Sequence, residues 1–290
     1  MDETNGDFAD RAEQHPKAIR RLEAQAIGAA TQPLARALNA AQQDATTRWL
    51  HAAAGRPAPE PTVLARLIET IRRLLARAFR GQGARAQRAA EQAATAAEQL
   101  GETQAAAIAA AMSGEPPPHR DRRRSSRRHA QAAWDVAAGI PAAVEQEFRR
   151  ALALCTEQTV RAFRGFTGVF QRAKRAIGRI AAGVAVTVAT AAAVGAETIA
   201  RTLGARLLWV AEPGACSACA AYAGRSIAPG EYFPGGLSLD PRRTVFWTPI
   251  PGPPRHPRCR CALIPWRSEW NRGGTPLPDL LRMRARMGGH

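Results

Sequence analysis

The sequence predicts a mainly α protein in which long, Ala-rich helices are followed by a small, loop-rich α+β module toward the C-terminus. Three observations predict it. Before residue 205, apolar residues recur at the three-to-four spacing of a helix face. Alanine fills 12 of the 23 positions from 89 to 111, a composition of high helix propensity and little bulk. Twelve of the 21 prolines, four of the six tryptophans and both tyrosines lie after residue 205, so the chain changes character there. At 290 residues with 46% apolar content, a real core and two domains are expected.

Residues 1–112 read as a helical region. Its clearest member carries Val63, Leu64, Leu67, Ile68, Ile71, Leu74, Leu75 and Phe79 on one stripe, with Arg66, Arg72, Arg73, Arg77 and Arg80 between them. Pro61 stands where a first helical turn tolerates proline. The Ala-rich stretch 89–111 is expected as a long helix that packs closely or spans a gap. Ser113-Gly114-Glu115-Pro116-Pro117-Pro118 then breaks it, and 113–129 reads as a Pro/Arg-rich linker. A second helical pattern runs through Val144, Phe148, Leu152, Cys155, Phe163, Phe166, Phe170, Ile177 and Ile180. Cys155 on that stripe is expected as a packed, unreactive thiol. The uncharged stretch Ile180–Ala196 is short and weakly apolar for a membrane span, and is expected as a buried helix. Residues 267–290 are expected as a basic tail.

The net charge is +17, from 41 Lys+Arg against 24 Asp+Glu, and only Lys17 and Lys174 are lysine. Such a balance argues against an acidic substrate site and for a polyanionic partner, although a strong Arg bias also reflects GC-rich coding. By thirds, residues 1–112 carry +2, 113–200 carry +7 and 201–290 carry +8. The sharpest clusters are Arg120, Arg122, Arg123, Arg124, Arg127 and Arg128, and the acid-free run from Arg161 to Arg179 with Arg172, Arg175 and Arg179. These are the candidate contacts to double-stranded DNA, of the kind that neutralises phosphates without reading sequence.

Five cysteines fit a reducing compartment and a metal better than a disulfide framework, and the polar, acidic N-terminus does not resemble a secretory signal. Cys216-x2-Cys219 is followed by His256-Pro257-Arg258-Cys259-Arg260-Cys261. A Cys-x2-Cys turn lets two thiolates meet one ion, and a second short cluster completes a tetrahedron. Five candidates compete for four positions. An extended segment is expected to point Cys259 and Cys261 to opposite faces, so that one packs rather than ligates, while turn geometry could still bring both inward. Structural Zn²⁺ is the leading reading, ahead of packed reduced cysteines or a disulfide formed in an oxidising medium. A catalytic metal ranks last, because the good ligands are consumed and no Asp or Glu in the sequence beside them offers a base. Arg255, Arg258 and Arg260 flank the ligands, where their field would favour thiolate or touch DNA.

Trp209-Val210-Ala211-Glu212-Pro213-Gly214-Ala215-Cys216-Ser217-Ala218-Cys219, then Tyr222-Ala223-Gly224, Phe233, and Pro253-Pro254-Arg255-His256-Pro257-Arg258-Cys259-Arg260-Cys261 with Pro265-Trp266, resemble the head morphogenesis domain of the phage Mu F-like minor head proteins. The resemblance spans 130–266, with the Cys/His module at 209–266, and is closest to forms carried by actinobacterial phages and prophages. Its motif residues here are Trp209, Gly224, Pro257 and Trp266 beside the cysteines. Where family members often carry an Asp before the first cysteine, this chain has Glu212-Pro213-Gly214. The resemblance implies a virion protein made during head assembly, first in the host cytoplasm and then inside the capsid beside packaged DNA. Its implied partners are the portal, which the helical region 1–112 could dock, and the capsid or scaffold proteins. No enzymatic activity, small-molecule substrate or membrane association is expected. The alternative is a zinc-stabilised DNA-binding protein, or a nuclease in which His256 acts rather than ligates.

Overall fold

The computed structural model describes residues 4–116, 127–240, 242 and 247–287, and only the backbone of 127–130. Four long helices dominate it: α1 (Asn5–Ala53), α3 (Gln82–Ser113), α4 (Arg127–Ala153) and α6 (Phe163–Leu203). Shorter elements are α2 (Pro61–Phe79), α5 (Glu157–Val160), α7 (Ser217–Ala220) and α8 (Leu277–Met287), with strands β1 (Arg206–Val210), β2 (Ser226–Ile227) and β3 (Ala262–Trp266). The expected mainly α class with a small C-terminal α+β module is therefore what the chain adopts.

The compact units do not follow chain order. One gathers residues 1–25, 91–136 and 185–290, and the other residues 26–90 and 137–184. Each long helix contributes one part of its length to each unit, which a left-to-right division at 113–129 does not capture.

In the unit of residues 26–90 and 137–184 the regular elements described are all helices. Helix α2 starts at Pro61 and buries Leu64, Leu67, Ile68, Ile71, Leu75 and Phe79, whereas Val63 stays exposed. The second apolar pattern is not one helix. It stops at Ala153 and restarts at Glu157, because the Thr156 hydroxyl accepts the Thr159 amide and caps α5. Cys155 lies in that turn, fully buried, and burial pushes its thiol up to about 11. Trp49 anchors the region by donating from Nε1 to the Val160 carbonyl at 2.8 Å and by stacking on Phe166.

In the other unit, β1 is the centre of an antiparallel sheet ordered β2-β1-β3, with Leu208 opposite Ile264 and Trp209 opposite Leu263. Both faces of β1 are covered, so its apolar run is continuous rather than alternating. Leu207 and Trp209 join Tyr222, Phe233 and the cysteines on one face. Leu208 and Val210 join Phe8, Ile108, Met112 and Leu281 on the other. The basic segment after Trp266 is folded: Leu277 and Leu281 of α8 are buried, and Arg284 pairs with Asp10.

The Ala-rich helix α3 packs closely. A Cβ on Gly101 would collide with the backbone of Ala192 in α6, and one on Gly195 with the backbone of Glu98 and Glu102. Glycine is required at the crossing, and alanine flanks it. One helix, Phe163–Leu203, is long and apolar enough to cross a membrane, yet half of its most apolar window is buried in protein, with Thr187, Glu197 and Thr198 among the buried residues.

Candidate metal centre

Two chain segments build the site. After Trp209 the chain leaves β1, and Cys216 opens the single turn α7, its carbonyl accepting the Ala220 amide at 2.9 Å. That turn puts Cys216 and Cys219 on one side, three residues apart. The second segment folds on itself at His256–Cys259, where the Cys259 amide donates to the His256 carbonyl at 2.9 Å. Arg258 closes the turn at φ 71°, a left-handed conformation that costs a non-glycine residue on the order of 1 kcal/mol. The chain then extends into β3. Cys259 and Cys261 do not diverge as expected of an extended segment: alternate residues share a face, so both turn inward and are buried while Arg260 between them turns away.

All five donors converge. His256 Nε2 lies 3.3 Å from Cys216 Sγ and 3.2 Å from Cys219 Sγ, and Cys219 Sγ lies 3.5 Å from Cys259 Sγ. Cys216, Cys219 and His256 form one cluster and Cys219, Cys259 and Cys261 another, each with donor atoms within 4.8 Å of one another, so Cys219 belongs to both. A tetrahedral ion bound to thiolates at about 2.3 Å and to imidazole at about 2.0–2.1 Å sets its ligand atoms roughly 3.5–3.8 Å apart. Two of the three separations are a few tenths of an ångström shorter than that and the third sits at its lower edge, so a small outward relaxation would seat an ion. These groups can hold a metal ion.

The imidazole is oriented for it. His256 Nδ1 lies 2.8 Å from the Pro257 carbonyl, which can only accept, so Nδ1 carries the proton and the Nε2 lone pair faces the sulfurs. Pro257 itself is exposed, and its contribution is that carbonyl. The thiols share protons unequally. The hydrogen bond with Cys219 lowers Cys216 to about 4. Hydrogen bonds from Cys219 and Cys261, with the amide of Arg255, hold Cys259 well below the usual thiol range. Cys219 is pushed up by its bonds to Cys216 and Cys259; Cys261 is pushed up, despite Cys219, by its bond with Cys259 and by burial. A divalent cation replaces such shared protons.

Several supports were not legible in the sequence. Arg255 is 5% exposed and does not face solvent: its Nη1 donates to the carbonyls of Ala218 and Leu237, and its guanidinium lies over the Tyr222 ring. It ties the Cys-x2-Cys loop to the His256 segment. Arg260 pairs with buried Glu23 at 3.0 Å and approaches Glu212, which Arg20 holds at 2.8 Å. A carboxylate therefore does lie beside the cluster, contrary to the sequence reading, but two arginines engage it. Of the motif residues, Trp209 is fully buried against Tyr222 and Phe233, and Gly224 has φ 69° with no room for a Cβ against the Pro278 carbonyl. Trp266 ends β3 opposite Arg206.

The basic candidates divide. Arg120, Arg122, Arg123 and Arg124 lie outside the described residues, and of Arg127 and Arg128 only the helical backbone is described. Arg172 and Arg179 both approach the carboxylate of Glu147, and exposed Arg175 lines the same groove. Neither set is near the cysteines in sequence, and Arg255 and Arg260 serve structure.

Comparison with protein-family models, with curated proteins and with solved structures finds no match to this chain. Fold and site define the class on their own terms: a mainly helical protein whose small sheet module carries a Cys/His cluster able to hold a metal ion.

Proposed function

We propose that this chain is a non-enzymatic assembly protein, a minor capsid or head morphogenesis component of a tailed phage or prophage, with its Cys/His module closed around a structural Zn²⁺. The observation that carries the metal part is the donor set: three or four thiolates and one imidazole converge from segments forty residues apart. Sulfur and imidazole donors select Zn²⁺ among common divalent ions, and a site filled by four of them is structural. The ligands proposed are Cys216, Cys219, His256 and Cys259, with Cys261 packed behind Cys219. Catalysis would need an open position and a free base, whereas Glu212 is engaged by Arg20 and Arg260.

The assembly part rests on the resemblance over residues 130–266 and on the arginine surplus, which suits a protein sharing a capsid with DNA. Quantitative mass spectrometry of nuclease-treated, DNA-filled heads tests it. A few copies per portal ring are expected; absence from purified heads contradicts it. Metal-dependent cleavage of duplex DNA by the purified chain would favour a nuclease instead.

A further inference from the structure

The charge of this protein is segregated by compact unit rather than by position along the chain. The unit of residues 26–90 and 137–184 holds 18 basic and 6 acidic residues, a net of +12. The unit that carries the cysteines holds 23 and 18, a net of +5. Residues 26–90, which belong to a near-neutral stretch of the chain, fold into this basic unit. The all-helical unit is the basic one.

Within it, α4 and α6 border an open groove of about 770 Å³ lined by Arg150, Arg172, Lys174, Arg175 and Arg179 around the single acid Glu147. Glu147 is 2% exposed and presents no negative surface to the groove. It works from below, meeting Arg150 at 2.8 Å, Arg179 at 3.5 Å and Arg172 at 3.6 Å. One carboxylate shared by three guanidiniums fixes their direction without neutralising them, and each guanidinium keeps N–H donors in hand. On α6 the positions 172, 175 and 179 fall on one face and span about 10 Å at 1.5 Å per residue. A duplex strand rises about 3.4 Å per phosphate along its axis, so the stripe is long enough to meet more than one phosphate.

We infer that this groove is a binding track for the phosphodiester backbone of duplex DNA, with Glu147 as the positioning residue of its arginines. The inference rests on the proposed function for the presence of DNA and adds where the chain grips it. Openness suits a strand running through rather than a small captured anion. Forked guanidiniums, four to one over ammonium here, match phosphate oxygens better than the scattered carboxylates of an acidic protein.

The test uses the full chain and a random-sequence 30-base-pair duplex, with affinity followed by fluorescence anisotropy across a salt series. Exposed Arg175 and neighbouring Lys174 are replaced together (Lys174→Gln, Arg175→Gln), with circular dichroism confirming retained helix. The control removes equal charge elsewhere in the same unit (Arg66→Gln, Arg73→Gln). The groove variant is expected to weaken binding at least tenfold at 100 mM salt and to reduce the slope of log affinity against log salt by about two, with little change in the control. Equal losses in both variants would overturn the groove in favour of diffuse charge. Wild-type protein that ignores DNA, or prefers vesicles of anionic lipid, would also overturn it. Either result leaves the zinc site and the protein's presence in heads standing.

Discussion

Cys219 Sγ lies 3.5 Å from Cys259 Sγ although forty residues separate them in the chain. With His256 Nε2 at 3.2 Å on its other side, Cys219 is the one sulfur common to both halves of the cluster. The module's core is small, and an ion at this junction would tie two segments that have no helix or strand in common. A structural zinc supplies apparent folding free energy on the order of 10 kcal/mol in small modules.

The four thiols of the module should therefore differ in consequence. Cys219→Ser is expected to abolish metal binding and open residues 205–266 to limited proteolysis, while helix content measured by circular dichroism stays largely intact. Cys259→Ser should do the same. Cys261→Ser should keep its metal and its protease resistance. Metal loss in Cys261→Ser would reassign the fourth ligand.

The junction of the two segments was legible because Cys-x2-Cys and His-x2-Cys-x-Cys each state a local geometry. Helix α2 was legible for the same reason: Pro61 and the stripe to Phe79 are local signals. The break at Leu154–Thr156 was not, since apolar spacing continues through Cys155 and the local mark of the break is Thr156, which caps the next helix. Glu147 read as one more charge among many; its value comes from arginines at 172 and 179 meeting it across helices. The sharing of α1, α3, α4 and α6 between two units has no local sequence signature at all, because it is a property of which distant faces meet.

Close approach of α3 and α6 yields a second expectation. Gly101→Ala and Gly195→Ala each add a methyl group where backbone already stands. Each should destabilise the protein by about 1–3 kcal/mol, the usual range for overpacking. Denaturant unfolding measures it, and a neutral result at both positions would mean the helices are further apart than described.

Gly224 tests the motif directly. Its φ of 69° and its contact with the Pro278 carbonyl leave no place for a side chain. Gly224→Ala should loosen α8 first, since Arg282 also reaches the Gly224 carbonyl. Hydrogen exchange across Leu277–Met287 is expected to rise well above that of α2 in the same protein.

His15 supplies the pH dependence. It is fully buried, neither ring nitrogen has a hydrogen-bond partner among the described residues, and burial lowers its pKa from 6.5 to about 4. The unfolded chain thus binds a proton that the folded chain refuses between those values. Stability is full above about pH 6.5 and declines as pH falls toward 4, by about 3 kcal/mol at 1.36 kcal/mol per unit. His15→Leu should flatten that part of the stability curve relative to wild type. Parallel curves for the two proteins would show that His15 has another partner.

The metal content of the anaerobically purified full chain tests the central claim most directly. One zinc per chain is expected, with X-ray absorption showing three sulfur ligands near 2.3 Å and one nitrogen near 2.0 Å. No bound metal in wild-type protein, or undiminished zinc in Cys219→Ser, would contradict it.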